Sequence, residues 1–230
     1  MSSPTTPSLQ VCRDCGGGAP VDVHFCPQCT KILSLGRHGN YFAFMGLPHR
    51  LNLETADLER RFRALSRQFH PDFFYNATPA ERMASLERSS YLNDAYRTLR
   101  DPVTRLQYVL QIEGLSPASP ADASRQVPPS LLEEVFALNE ELDEVRAARA
   151  NGAPAEVWHG RLERARGPVE SKRIGHEAQL QDLAARWDTL ADRPAADEDR
   201  RAVLHALADR FLERTYITNL LAGIERELAQ

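Results

Sequence analysis

Pro71 limits this chain's fold more than any other residue. It comes almost directly after an apolar stripe of Leu58, Phe62, Leu65 and Phe69, whose spacings of four, three and four residues trace one face of a helix. A residue before proline is pushed out of helical geometry, so that helix must end near His70. Asn52 and Thr55 are its candidate N-caps, and Arg60, Arg63 and Arg67 line its opposite face, with Arg61 on the flank. A second helix is expected from Pro79 to about Arg100, because Pro79 suits a first-turn position and Glu81 suits a positive helix start. Its apolar side chains would be Met83, Leu86, Leu92, Tyr96 and Leu99. Upstream, Tyr41 to Met45 reads as a short helix stopped by Gly46 and Pro48. Downstream, Val103, Leu106, Val109 and Leu110 read as another, after Asp101-Pro102. The pattern is two antiparallel helices joined by a loop that begins His70-Pro71-Asp72.

All four cysteines lie near the N-terminus, as Cys12-Arg-Asp-Cys15 and Cys26-Pro-Gln-Cys29. Each C-x-x-C turn lets two thiolates converge on one ion, and two such turns give the tetrahedral sulfur set that zinc prefers. Metal is favoured over disulfides for such a cluster in a reducing compartment. A pair of redox-active dithiols and an iron–sulfur site are the other readings of the same residues. His24 lies two residues before Cys26, but four thiolates already complete the shell. About twenty ordered residues bury little core, so metal would supply the folding free energy and act as a staple. The other reading of the knuckle is a docking or regulatory module. No ligand position is left open for catalysis.

The rest of the chain is helical in composition, with few aromatics (7%) and abundant Leu, Ala, Glu and Arg. A net charge of -4 argues against a nucleic-acid binder, which usually carries a basic excess. No apolar run is long enough to span a bilayer, and residues 1–10 lack a signal or transit pattern, so a cytoplasmic protein without membrane contact is expected. Five segments follow: a disordered tail (1–10), the knuckle with its linker (11–39), the helical hairpin (40–115), a proline-rich linker (116–129) and a C-terminal bundle (130–230). In the bundle, Ser130 and Glu133 form a capping box for a helix that stops at Asn151-Gly152. Pro154 opens the next helix, with a kink or break expected at Gly167-Pro168. A turn at Asp192-Arg193-Pro194 leads to the last helix. The expected fold is all-α: a helical hairpin and an antiparallel three-helix bundle, preceded by a small zinc knuckle.

The hairpin resembles the J-domain family. The matching residues are Tyr41-Phe42, Gly46-Leu47, Leu58, Phe62, Leu65, Phe69, His70-Pro71-Asp72, Asn93 to Leu99, Asp101-Pro102 and Arg105. The bundle sharpens the resemblance. Leu138-Asn-Glu140-Glu141-Leu-Asp-Glu144 and Arg210-Phe211-Leu-Glu-Arg214 look like HscB, the J-protein family of iron–sulfur cluster assembly, and the cysteines look like the zinc extension of some members. The resemblance implies a non-enzymatic co-chaperone. His70, Pro71, Asp72, Arg67 and Arg63 would contact a DnaK/HscA-type chaperone and activate its ATPase. Leu132, Phe136, Glu140 and Phe211 would bind the U-type iron–sulfur scaffold protein. Cys12, Cys15, Cys26 and Cys29 would hold structural Zn2+. The chain departs from the family pattern at Glu133 and Ala137. A homodimer is also allowed for. Two other function classes stand beside this one: a general J-protein with other clients, and a zinc-dependent redox or nucleic-acid module.

Overall fold

The computed structural model describes residues 9–36, 40–115, 131–191 and 197–229. The chain divides into two compact units, Met1–Tyr108 and Val109–Gln230. Both are built from helices, with one two-stranded ribbon at the start of the first.

In the first unit, β1 (Leu9–Val11) pairs antiparallel with β2 (Gly18–Pro20), Gln10 opposite Ala19. Leu9 and Gln10 therefore belong to the knuckle, although the Ser/Pro-rich composition places them in a tail. The segment after Cys29 is not a plain linker either. Ile32 and Leu33 are buried, and Ile32 bridges to Phe25. Helix α1 (Tyr41–Met45) is capped by the Asn40 side chain, which accepts from the Ala43 N–H. It ends at Gly46, whose φ of 64° is the left-handed conformation that favours glycine.

Helix α2 (Thr55–Phe69) starts without a side-chain cap. Glu54 holds the N-cap position, so neither Asn52 nor Thr55 does. The helix ends at His70, which is extended (φ -59°, ψ 127°) as the residue before a proline must be. A 3-10 turn (Pro71–Phe74) leads to α3 (Pro79–Arg100). There Thr78 and Glu81 form a reciprocal capping box. Helix α4 (Pro102–Ile112) follows, with Asp101 Oδ1 accepting from the Val103 and Thr104 N–H groups at 3.0 and 2.8 Å.

The core between α1, α2 and α3 is aromatic. Phe44 meets Phe69 and Tyr91, and Phe62 stacks on Tyr96 at 4.1 Å between ring centroids. The buried register of α3 runs through Ser85, Arg88, Leu92, Ala95 and Leu99. Met83 and Leu86 fall outside this register and face solvent, which corrects their assignment to the apolar face.

The second unit holds three long helices: α5 (Leu132–Ala150), α6 (Ala155–Ala191) and α7 (Asp197–Leu228). Their core is Leu131, Leu138, Leu142 and Val145 with Trp158, Leu162, Val169, Tyr216, Ile217 and Ile224. Ser130 and the turn at 192–194 lie outside the described residues, and Leu131, at the N-cap of α5, gives no side-chain cap. Asn151 closes α5, with Gly152 at φ 75° just beyond. Of the kink or break expected at Gly167-Pro168, the break is absent: α6 runs through Pro168. Both residues are exposed, so water can take the carbonyl that proline leaves without a donor. Ile174 is also exposed, not core. No helix among the described residues is long and apolar enough to cross a membrane.

Candidate functional site

The His70-Pro71-Asp72 turn projects polar groups from a rigid base. Pro71 opens the 3-10 turn and holds His70 extended, so the tripeptide has little freedom. The Asp72 N–H donates to His70 Nδ1 at 3.3 Å, and the Asp72 carboxylate lies 3.5 Å from the same nitrogen. Both side chains are open to solvent, that of Asp72 86% exposed. Beneath them, Phe69 is fully buried. Its carbonyl, the last of α2, accepts two hydroxyls, from Ser85 at 2.6 Å and Ser89 at 2.9 Å. The end of α2 is thus pinned to α3 directly before the turn.

Arg63 and Arg67 are exposed on α2, in line with Arg60. Arg63 reaches Glu59 at 3.2 Å, whereas Arg67 has no ion-pair partner among the described residues. Arg61 has a different role. It donates to the Gly46 carbonyl at 2.5 Å and to Asp57 at 3.0 Å, and so ties α2 to the end of α1.

The four cysteines converge on one point. Their sulfurs all lie within 4.8 Å of one another. The two knuckles repeat one backbone pattern. Cys12 accepts from Gly16 N–H (2.9 Å) and donates to Gly17 (2.8 Å); Cys26 accepts from Thr30 N–H (2.9 Å) and donates to Lys31 (2.9 Å). The residue four after the first cysteine is left-handed in each, Gly16 at φ 70° and Thr30 at φ 60°. The N–H groups of Cys29 and Gln28 point at the Cys26 sulfur and hold its thiol down to about 7. At Cys29 the Lys31 N–H pulls the same way, but burial and three neighbouring thiols push it up to about 12.

The set fits a tetrahedral metal ion. Sulfurs at zinc–thiolate distance from a common centre stand about 3.8 Å apart, and both Cys12–Cys29 and Cys15–Cys26 are 3.7 Å apart. His24 is no ligand. Its Nδ1 lies 2.7 Å from Arg88 Nη1, and its ring packs edge-on against Phe44 and Phe69 at 4.9 Å.

Arg88 is the residue that sequence reasoning passed over. It is fully buried on α3. Its Nε donates to the Leu33 carbonyl (2.7 Å) and its Nη2 to the Ser34 carbonyl (3.0 Å), both in the segment after the cysteines. Burial brings its guanidinium down to about 10, so it stays charged near neutrality. A readable signal existed, because 85, 88, 92, 95 and 99 keep helical spacing and Arg88 falls in an otherwise small or apolar stripe.

On the bundle, Leu132, Phe136 and Glu140 form one outward stripe of α5 at intervals of four. Phe136 is 71% exposed. Neighbouring acids are tied inward to α6: Glu134 to Lys172, Glu141 to Arg161 at 3.0 Å and Glu144 also to Arg161. Glu140 has no ion-pair partner among the described residues. Phe211, on α7, is half-buried.

No protein-family model matches the sequence. Solved structures do. The human co-chaperone protein HscB matches with a TM-score of 0.64 over 94% of this chain and 98% of its own, at 23% identity. Chaperone HscB from Vibrio cholerae matches with a TM-score of 0.53 over 81% of this chain and 96% of its own, at 29% identity. The chain is HscB-type in fold. Within that HscB-type frame the His-Pro-Asp turn sits in the first unit and the exposed α5 stripe in the second. The four-sulfur cluster is a candidate metal centre near the N-terminus.

Proposed function

We propose that this chain is a co-chaperone of iron–sulfur cluster assembly. It activates the ATPase of a DnaK/HscA-type chaperone and brings it the U-type scaffold protein that carries the nascent cluster. The observation that carries the reading is the exposed His70-Pro71-Asp72 turn on a pinned helix end, in a chain whose fold is HscB-type. His70, Pro71 and Asp72 make the chaperone contact within a J-domain of residues 40–115. The arginines of α2, Arg63 and Arg67 among them, steer the encounter with an acidic surface. Leu132, Phe136, Glu140 and Phe211 contact the scaffold from the bundle of residues 130–230. Cys12, Cys15, Cys26 and Cys29 hold a structural zinc ion in a closed shell that leaves no position for substrate. ATP hydrolysis belongs to the chaperone and the cluster to the scaffold, so this chain does no bond chemistry of its own.

The test is steady-state ATP hydrolysis by a DnaK-type chaperone with this protein added, with and without the scaffold. Turnover rises with the protein and rises further with the scaffold. His70→Gln abolishes the rise with little change in thermal stability, because its side chain is half exposed and its contacts, the Asp72 N–H and the exposed Phe73 ring, lie at the surface. Full stimulation by His70→Gln would remove the chaperone-contact reading. Stimulation that the scaffold never increases would move the bundle to other clients.

A further inference from the structure

Arg88 is a buried cation whose hydrogen-bond acceptors all come from the cysteine segment: the carbonyls of Leu33 and Ser34 and the Nδ1 of His24. Among the described residues no carboxylate is paired with it. Its guanidinium also lies over the Phe69 ring, 5.7 Å from the centroid. That ring is further held by His24 (4.9 Å) and Phe25 (6.2 Å). Phe69 immediately precedes His70, and its carbonyl is fixed by Ser85 and Ser89 on the same stretch of α3. A second link runs from Lys31 to Asp14 (3.0 Å) and to Glu81 (3.7 Å), the acid of the α3 capping box.

We propose that Arg88 and His24 are positioning residues for the His-Pro-Asp turn, and that the cysteine knuckle sets the presentation of that turn through them. The inference rests on reading the turn as the chaperone contact. The physical reason is that a buried charge needs its partners. When the knuckle opens, Arg88 loses every acceptor at once and cannot stay where it is. The Phe69 ring loses His24 and Phe25 in the same event. The helix end that carries His70 then keeps only its two serine hydroxyls and the contact of Phe69 with Phe44. A metal at the four thiolates therefore does more than staple twenty residues, because it keeps the chaperone-facing turn in its working geometry.

The experiment uses the full chain loaded with zinc, the same chain after chelation, and zinc-loaded Arg88→Met. His24→Phe is the milder variant, since it keeps an aromatic ring against Phe44 and Phe69 and removes the imidazole nitrogens, Nδ1 among them. Two readings are taken: amide hydrogen exchange at Asp72 and Phe73, which donate to His70 Nδ1 and to the His70 carbonyl, and the chaperone concentration giving half-maximal ATPase stimulation. Chelation and Arg88→Met should each speed exchange at those two amides about tenfold or more. They should also raise the half-maximal concentration several-fold, with the maximal rate retained. His24→Phe should give a smaller change of the same pattern. Unchanged exchange at Asp72 and Phe73 after both chelation and Arg88→Met overturns the proposal. So does an equal rise across all of α2 and α3, which marks a merely structural role. Failure of His70→Gln to affect stimulation counts against the chaperone-contact reading instead, while the exchange data judge the coupling separately.

Discussion

Phe136 and Leu138 stand two residues apart on α5 and have opposite surroundings. Leu138 is 4% exposed within the bundle core, and Phe136 is 71% exposed. Composition and spacing do not separate them, since either could belong to the apolar face of a helix. Truncation does. Leu138→Ala removes packed methyls and leaves a cavity, at a cost of about 2–5 kcal/mol. Phe136→Ala should change stability by less than about 0.5 kcal/mol, yet weaken binding to a U-type scaffold by about tenfold or more if the ring is an interface anchor. Urea unfolding and calorimetric titration check the pair. A Phe136→Ala variant as unstable as Leu138→Ala would make the ring a core residue. Arg88 carries the converse lesson. Its place in the α3 stripe is legible, but its partners lie 55 residues away at Leu33, and no local pattern points there.

Elements whose causes are local follow the sequence closely. The ends of α1, α2 and α3 fall where Gly46, Pro71 and Asp101-Pro102 put them. The unbroken α6 departs from that rule. A proline inside a helix removes one hydrogen bond and crowds the preceding turn, but the helix persists when its buried face is well packed. Val169, next to Pro168, is 4% exposed in the bundle core, while the proline itself faces solvent. The cost is still present in the folded state. Pro168→Ala restores an N–H for the Arg164 carbonyl and should stabilise the bundle by about 1–3 kcal/mol, read by urea unfolding. A destabilised variant would mean that the ring makes contacts the exposed position does not reveal.

At the scale of the whole molecule, each unit buries several ionisable side chains among the described residues, and in each unit one of them shows how burial bears on stability. In the first it is Arg88, satisfied by the cysteine segment. In the second it is His176, buried between α6 and α7, with Glu213 3.6 Å from its Nε2. Burial lowers the His176 pKa below its ordinary value, outweighing Glu213, which favours the charged form; Arg210 and Arg214 are the nearby cations. A folded pKa below the unfolded one means that the unfolded chain binds the proton first. Stability is then complete above the usual imidazole range near 6.5 and falls as pH drops from there towards the folded pKa. The slope is at most about 1.4 kcal/mol per pH unit for one proton. Hydrogen exchange in α6 and α7 between pH 7.5 and 5 should show this loss, and His176→Leu should flatten it. An unchanged slope in that variant would assign the acid sensitivity to other groups.

The sequence by itself determined what nearest neighbours along the chain decide. Proline and glycine stops, Pro79 and Glu81 at the start of α3, the helical spacing of apolar residues and two C-x-x-C turns gave an all-α chain with a four-sulfur cluster. Only the tertiary structure decided which residues of α3, of α6 and of the segment after the cysteines meet a neighbour. It turned Met83, Leu86 and Ile174 outward, buried Ser85 and Arg88, and drew Ile32 and Leu33 into the first unit. It also joined the knuckle to the helix end before His70. The physical reason is that burial and the pairing of buried charge depend on groups far apart in sequence, whereas caps, turns and helix periods depend on residues within a few positions of one another.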